Sequence, residues 1–430
     1  VNRDEHSRPG GDSAARDSCA IDSCTKTDIV AGKTTSSKHC RGSRLMTVAH
    51  HPAVPAPAAD PSRQRSQADP LELDGVDALE FWVGNARQAA HYYRTGWGFQ
   101  IVAYGGPETG MRDRCSYVLE QGKLRFVLTS SLREGTEISR HVARHGDGVR
   151  DICLRVADAP AAFAEAVRRG AVPVKAPWED KDEQGILRRA TIAAYGETVH
   201  TFVERSDYSG AHAPGYEPRP PIADPSPAPA LLDFDHSVAN VELNRMNFWV
   251  QFYERVLGFS LIQGFTDDDI ATEYSALMSK VVSDGVGRIK FPINEPAAGK
   301  KRSQVEEYLD FFNGPGVQHI AISTADIVAS VAAMQARGIE FMRVPDVYYD
   351  DLRVRFADLD LDVDRLQQFG ILADRDDEGY LLQIFSQMNQ DRPTLFFELI
   401  ERHGSTGFGN GNFKALFIAL EREQDRRGNL

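Results

Sequence analysis

Pro393-Thr-Leu-Phe-Phe-Glu-Leu-Ile-Glu-Arg402 is mostly apolar and rich in β-forming residues, and it reads as a buried strand. Successive side chains on a strand point to opposite faces, so Phe396, Glu398 and Ile400 share one face. A carboxylate between two large apolar groups is costly to desolvate unless a proton, a basic partner or a metal ion neutralises it. The alternative is a Glu that reaches solvent or an arginine, since charged residues are seldom buried unpaired. What the remaining sequence places near Glu398 decides between the two.

Outward from this strand the chain is long enough, at 430 residues, for more than one domain. A net charge of −13 argues against nucleic acid or an anionic membrane surface as the main partner. No apolar run approaches the roughly 18 residues of a membrane span. Cys19, Cys24 and Cys40 crowd into the first 45 residues, leaving Cys115 and Cys153 for the body. That is no disulfide framework, and a cytoplasmic location is expected. His39 joins the first three cysteines, but their spacing matches no zinc module.

Residues 1–45 lack apolar periodicity and carry no signal-type hydrophobic core, so disorder is expected over 1–69. Ordered-looking sequence begins near Leu71, and Met46 would be the natural start. Seven prolines fall within 206–230, which predicts an extended connector. It separates a first module, 70–205, from a second, 231–430. Asn85 predicts a helix cap, with Gly96 and Gly98 closing the helix. Gln121-Gly122 predicts a hairpin.

The two modules repeat. Val76-Asp-Ala-Leu-Glu-Phe-Trp82 is echoed by the strand from Phe234 to Val241, and Trp97-Gly98-Phe99 by Leu257-Gly258-Phe259. The latter closes a helix expected to place Phe248, Phe252 and Val256 on one face. Gly148-Val-Arg-Asp-Ile-Cys153 is echoed by Gly316-Val-Gln-His-Ile-Ala321. Aligned on these landmarks, His236 stands opposite Ala78, His319 opposite Asp151 and Glu398 opposite Thr201. Three ligand-type residues thus occupy three strands of the second copy. Two histidines and one carboxylate, with other positions open, suit a non-haem Fe(II) oxygenase. A lone histidine on a strand is more often an ordinary core residue, and Gln318, one residue before His319, is expected to face away from the centre.

The motifs Phe234-Asp-His236, Asp269–Met278, Lys290-Phe-Pro-Ile-Asn-Glu-Pro296, Gly316-Val-Gln-His319, Asp376–Phe385, Gln390-Asp-Arg-Pro393 and Gly407-Phe-Gly-Asn-Gly-Asn-Phe413 resemble the 4-hydroxyphenylpyruvate dioxygenase family. That family lies within the vicinal-oxygen-chelate group. The resemblance covers about residues 70–430 and implies an α+β fold of two modules, each built from βαβββ units forming open barrel-like sheets. It implies His236, His319 and Glu398 as ligands of Fe(II), and 4-hydroxyphenylpyruvate and O2 as partners. It places Ser275, Asn294, Gln304 and Gln383 at the catalytic centre, and Phe385, Phe396, Phe408, Asn412 and Phe413 in the substrate pocket. A homodimer or homotetramer is expected, with the first module lacking metal. The sibling reaction, 4-hydroxymandelate synthesis, and a non-enzymatic binding protein of the same fold are the alternatives. Phe413 resembles the ring-hydroxylating branch. Ser386-Gln-Met-Asn389 departs from a Lys-Pro pair common in the family.

Phe413, Leu416, Phe417 and Leu420 recur at helical spacing, predicting a terminal helix over 412–427 that gates the site, with Asn412 as its cap. An ordinary packed terminal helix is the competing reading.

Overall fold

The computed structural model describes residues 69–429, except 267–275, 298 and 300, and of Lys414 the backbone only. The expected disorder of 1–69, the cysteine-rich segment and Ser275 therefore lie outside the described residues, save Asp69. The first half runs β1 (Leu73–Trp82), α1 (Ala86–Trp97), β2 (Gln100–Gly105), β3 (Arg114–Gln121), β4 (Leu124–Ser131) and α2 (Glu137–His145). It continues through β5 (Gly148–Val156), α3 (Ala159–Arg168), β6 (Pro173–Asp182), β7 (Gly185–Ala193), β8 (Val199–Glu204) and β9 (Glu217–Pro218).

The second half opens with β10 (Leu231–Asn240), α4 (Met246–Phe252), β11 (Ser260–Phe265), β12 (Ala276–Ser283), β13 (Lys290–Ala297) and α5 (Gln304–Phe312). After it come β14 (Gly316–Thr324), α6 (Ile327–Ala336), α7 (Val347–Arg355), α8 (Val363–Phe369) and β15 (Leu372–Arg375). β16 (Tyr380–Phe385), β17 (Phe396–His403) and α9 (Asn410–Arg426) complete the described chain.

Local sequence explains the helix ends. The Asn85 side chain accepts from Gln88 N, and Gly98 closes α1 in the left-handed region at φ 77°. Gly96 serves packing, not capping: a Cβ there would lie 2.6 Å from Ile339 Cδ1. Asp158 and Asp326 cap α3 and α6 in the same way. The helix ending at Gly258 corrects one expectation. A π-helical turn, Tyr253–Leu257, follows α4 and shifts its face, so Phe252 and Val256 are buried while Phe248 is exposed.

The strands form two sheets. One has the order β6-β7-β8-β5-β1-β4-β3-β2-β9, the other β11-β12-β13-β10-β14-β17-β16-β15. Read in opposite directions they match strand for strand, apart from β9, which is the part of the Pro-rich connector paired with β2. β6 was not foreseen. Its ten residues are largely exposed and form the sheet edge, so no apolar alternation marks them. The two sheets meet on an aromatic seam. Phe397 is fully buried with its ring 4.7 Å from Trp97, 5.8 Å from Tyr93 and 5.8 Å from Phe126. Phe396 and Glu398, its neighbours, point to the other face of β17, into the second sheet's hollow. Among the described residues no helix is long and apolar enough to cross a membrane.

Strand register keeps the repeat to the residue. In the second sheet His319 lies beside Phe396 and Ala321 beside Glu398, with His236 opposite Ala321. In the first, Asp151 lies beside Val199, with Ala78 opposite Cys153. The ladders also break at matching places. Asp235 and Gln318 are extra residues in the β10–β14 pairing, as Asp77 and Arg150 are in β1–β5. Where the second sheet has His319 and Glu398, the first has a closed hydrogen bond between Asp151 and Thr201, whose N–H also donates to Asp151 at 3.0 Å.

Burial pushes the Asp151 carboxyl up from 3.8 to about 7. The folded chain then holds a proton that the unfolded chain releases, so stability is lost as pH rises through that window. Asp151→Asn should flatten this fall, measured as urea midpoints between pH 4 and pH 8. An unchanged slope would remove Asp151 as its source.

Candidate metal centre and pocket

His236 on β10, His319 on β14 and Glu398 on β17 converge inside the second sheet. All three are buried, and their ligand-type atoms lie within 4.8 Å of one another. Glu398 Oε2 is 3.3 Å from His236 Nε2 and 3.5 Å from His319 Nε2. Each imidazole turns its Nδ1 away from the centre, to an oxygen of the residue just before it. His236 Nδ1 donates to Asp235 Oδ1 at 2.8 Å and His319 Nδ1 to Gln318 Oε1 at 2.9 Å. Those acceptors fix both tautomers, so in the neutral rings the Nε2 lone pairs face the carboxylate.

Two lone pairs and a carboxylate in a buried hollow call for a cation. Burial disfavours a charged His236, but the Glu398 and Asp235 carboxylates outweigh it and raise its pKa. Burial lowers that of His319. Burial also works against the Glu398 charge, yet His236 and His319 hold its carboxyl below the ordinary range. The donor set fits a divalent transition-metal ion: two imidazoles, one carboxylate and no thiolate.

The surroundings brace this set. Arg402, four residues beyond Glu398, grips Asp235 with two 2.8 Å hydrogen bonds. Burial opposes the Asp235 charge, but the bonds from Arg402 and His236 hold its carboxyl well below the usual range. Arg402 also donates to Gly407 O at 2.6 Å, the carbonyl preceding Phe408. Phe408 in turn meets the His236 ring edge-on at 5.2 Å, and Phe396 stacks on His319 at 4.8 Å.

On its open side the triad faces a largely apolar cavity. Asn294, Gln304, Gln383, Phe385, Phe408 and Phe413 line it, with Phe265, Leu277 and Phe417. Phe413 packs edge-on against Phe265 at 4.7 Å. Gly409, at φ 77°, leaves room for Gln383: a Cβ there would fall 2.0 Å from Gln383 Oε1.

Three expectations need correction. Gln318 does not face away. It lines the cavity, accepts from His319 and donates to Gln304 Oε1 at 2.9 Å, because it is the extra residue of a β-bulge and escapes alternation. Asn412 neither lines the cavity nor caps the helix. The cap position is Gly409, and Asn412, fully buried, accepts from Tyr348 Oη at 2.6 Å. Phe396 reaches the centre through His319 and does not line the cavity. Asp235 and Arg402 were missed, and no pattern in the sequence beyond Phe234-Asp-His236 pointed to them.

Comparison with known proteins agrees with the geometry. Residues 67–213 match the model of the hydroxyphenylpyruvate dioxygenase N-terminal region, and 234–384 that of the glyoxalase/bleomycin resistance protein/dioxygenase superfamily. The 4-hydroxyphenylpyruvate dioxygenase of Aspergillus fumigatus is 44% identical over 392 residues, covering 86% of this chain and 97% of its own. That of Dictyostelium discoideum is 46% identical over 367 residues, covering 83% and 100%. A mutant 4-hydroxymandelate synthase from Streptomyces coelicolor has a similar structure, with a TM-score of 0.74 at 33% identity, covering 83% of this chain and 100% of its own.

Asp235→Asn removes the charge that holds His236 and pairs with Arg402. Metal affinity should fall by about 10- to 100-fold, read by Co(II) titration of metal-free protein. Unaltered affinity would reduce Asp235 to a packing role.

Proposed function

The chain belongs to the 4-hydroxyphenylpyruvate dioxygenases of the glyoxalase superfamily, and on that premise we propose that it converts 4-hydroxyphenylpyruvate and O2 to homogentisate and CO2, in tyrosine catabolism. The observation that carries this reading is the buried His236, His319 and Glu398 triad opening onto an aromatic cavity. His236, His319 and Glu398 would hold iron(II), which would supply a Lewis acid for the 2-oxo acid and a centre for O2 activation.

The protein's own residues do the positioning. Asn294, Gln304 and Gln383 present amide groups to the polar ends of the substrate, and Gln318 ties Gln304 to a ligand histidine. Phe385, Phe408 and Phe413 enclose its ring and keep water from the centre. Ser275, outside the described residues, keeps its catalytic assignment from the family motif alone. α9 acts as the closing element. It carries Phe413, Leu416 and Phe417 to the cavity and begins at a glycine in the left-handed region. The setting is cytoplasmic, in keeping with free Cys115 and Cys153. The chain works as a homodimer or homotetramer, for which the exposed edge strand β6 offers a surface.

4-Hydroxymandelate synthesis uses the same substrate and metal and is the second reading, favoured by the 33% identity to a synthase. Identities of 44% and 46% to dioxygenases and the ring of Phe413 against the cavity favour ring hydroxylation. A shift of about 1 Å in ring position separates the two outcomes. Purified protein with iron, ascorbate and substrate should give homogentisate by chromatography, and Glu398→Ala should give no product and retain iron poorly. A hydroxymandelate peak would replace the assignment with the sibling reaction. Full turnover by iron-replete Glu398→Ala would end both readings.

Removing residues 412–430 should leave a folded, iron-binding protein whose O2 uptake exceeds homogentisate formed. Full coupling in that variant would make α9 a packing element and no gate.

A further inference from the structure

A second cluster of ligand-type side chains lies in the first half of the chain, apart from the triad. His141 and His145 are one helical turn apart on α2, so they share a face. Glu197, in the turn between β7 and β8, completes the group. Its three ligand-type atoms lie within 4.8 Å of one another, the same limit that the catalytic triad meets. Both histidines are 2% exposed, whereas the Glu197 side chain is 38% exposed and opens a path from solvent.

Hydrogen bonding leaves this group unsatisfied. His145 Nδ1 is used by the main-chain carbonyl of Phe312, at the end of α5. A carbonyl only accepts, so Nδ1 carries the proton and Nε2 of the neutral ring is a lone pair. That Nε2 stands 3.3 Å from Glu197 Oε2 without making a hydrogen bond. His141 Nδ1 meets the same oxygen at 2.6 Å, while Arg144 takes the other, Oε1, at 3.4 Å. One carboxylate oxygen is therefore shared by two buried ring nitrogens. The 3.3 Å span equals that between Glu398 Oε2 and His236 Nε2 in the catalytic triad. It suits two ligands about 2.0–2.2 Å from one ion in tetrahedral geometry.

We propose that His141, His145 and Glu197 form a second, structural site for a divalent transition-metal ion, of which zinc is the natural occupant. Imidazole and carboxylate without thiolate select zinc, cobalt or nickel over calcium or magnesium. Binding opens the 2.6 Å contact to ligand spacing, a small swing for a half-exposed glutamate. The ion would tie α2 to the β7–β8 turn, and through the Phe312 carbonyl to the far end of α5. The other end of α5 carries Gln304. The site thus spans the two halves of the molecule and stabilises their junction without touching substrate.

The test uses the full chain with the triad emptied by His236→Ala and Glu398→Ala, its fold checked by circular dichroism, titrated with Zn(II) calorimetrically. One equivalent should bind and raise the melting temperature. Adding Glu197→Gln should weaken that binding about tenfold or more and cancel the rise. If the emptied protein binds no zinc, or binds it equally with Glu197→Gln, the site does not exist. Should the triad variant fail to fold, metal counts on reconstituted protein decide. Two zinc ions per wild-type chain falling to one in Glu197→Gln, with turnover of the iron-loaded variant retained, supports the site. One ion in both refutes it.

Discussion

Glu398 is a carboxylate whose side chain is only 3% exposed, on a strand face it shares with Phe396 and Ile400. Such a charge is stable only beside a counter-charge, and its partners come from two other strands at 3.3 and 3.5 Å. The surrounding structure follows from holding those partners still. Asp235 fixes His236, Arg402 fixes Asp235, and the same guanidinium holds the carbonyl before Phe408, whose ring lies against His236. Ligand posture and pocket wall are one hydrogen-bonded object. A disturbance at either reaches the other through Arg402.

The internal repeat separates architecture from chemistry. Asp77 and Arg205 in the first sheet make the same two-pronged contact, at 2.7 and 2.8 Å, that Asp235 and Arg402 make in the second. The strut is therefore part of the fold and exists where no triad does. The three positions between the struts carry the chemical difference. In the first sheet Asp151 and Thr201 close on each other by hydrogen bonding beside the methyl group of Ala78, whereas His236, His319 and Glu398 leave lone pairs aimed at a common point. One register serves both arrangements, so the fold alone does not determine which half does chemistry.

Much of this was legible in the sequence because it depends on local patterns. Strand alternation around Glu398, the cap at Asn85 and the paired landmarks of the two copies follow from period and spacing. The three ligand-type positions follow from aligning the copies, and their role as metal ligands comes from the family resemblance. What escaped depends on breaks in period or on contacts distant in sequence. Gln318 and Asp235 are bulge residues, and alternation assigns a bulge residue to the wrong face. Phe248 turned outward because a π turn moved the helix face. Asn412 looks like a cap by residue type, yet it sits inside the helix as the partner of Tyr348, 64 positions earlier. β6 is polar and exposed along its length, and its partner β7 alone makes it a strand.

The topology also sets an order of assembly during synthesis. Every strand of the first sheet lies between Leu73 and Pro218, so that half can close while the rest of the chain is still being made. The triad cannot. His236 waits for a partner 162 positions later, and β17 must insert between β14 and β16 before Glu398 arrives. Non-local pairing of this kind carries its loop-closure cost before any contact repays it. The aromatic seam bears on the step, because Phe397 packs on Trp97, Tyr93 and Phe126, all of which belong to the half made first. The last strand thus packs on the half made first, and the triad cannot be complete until that strand has been made.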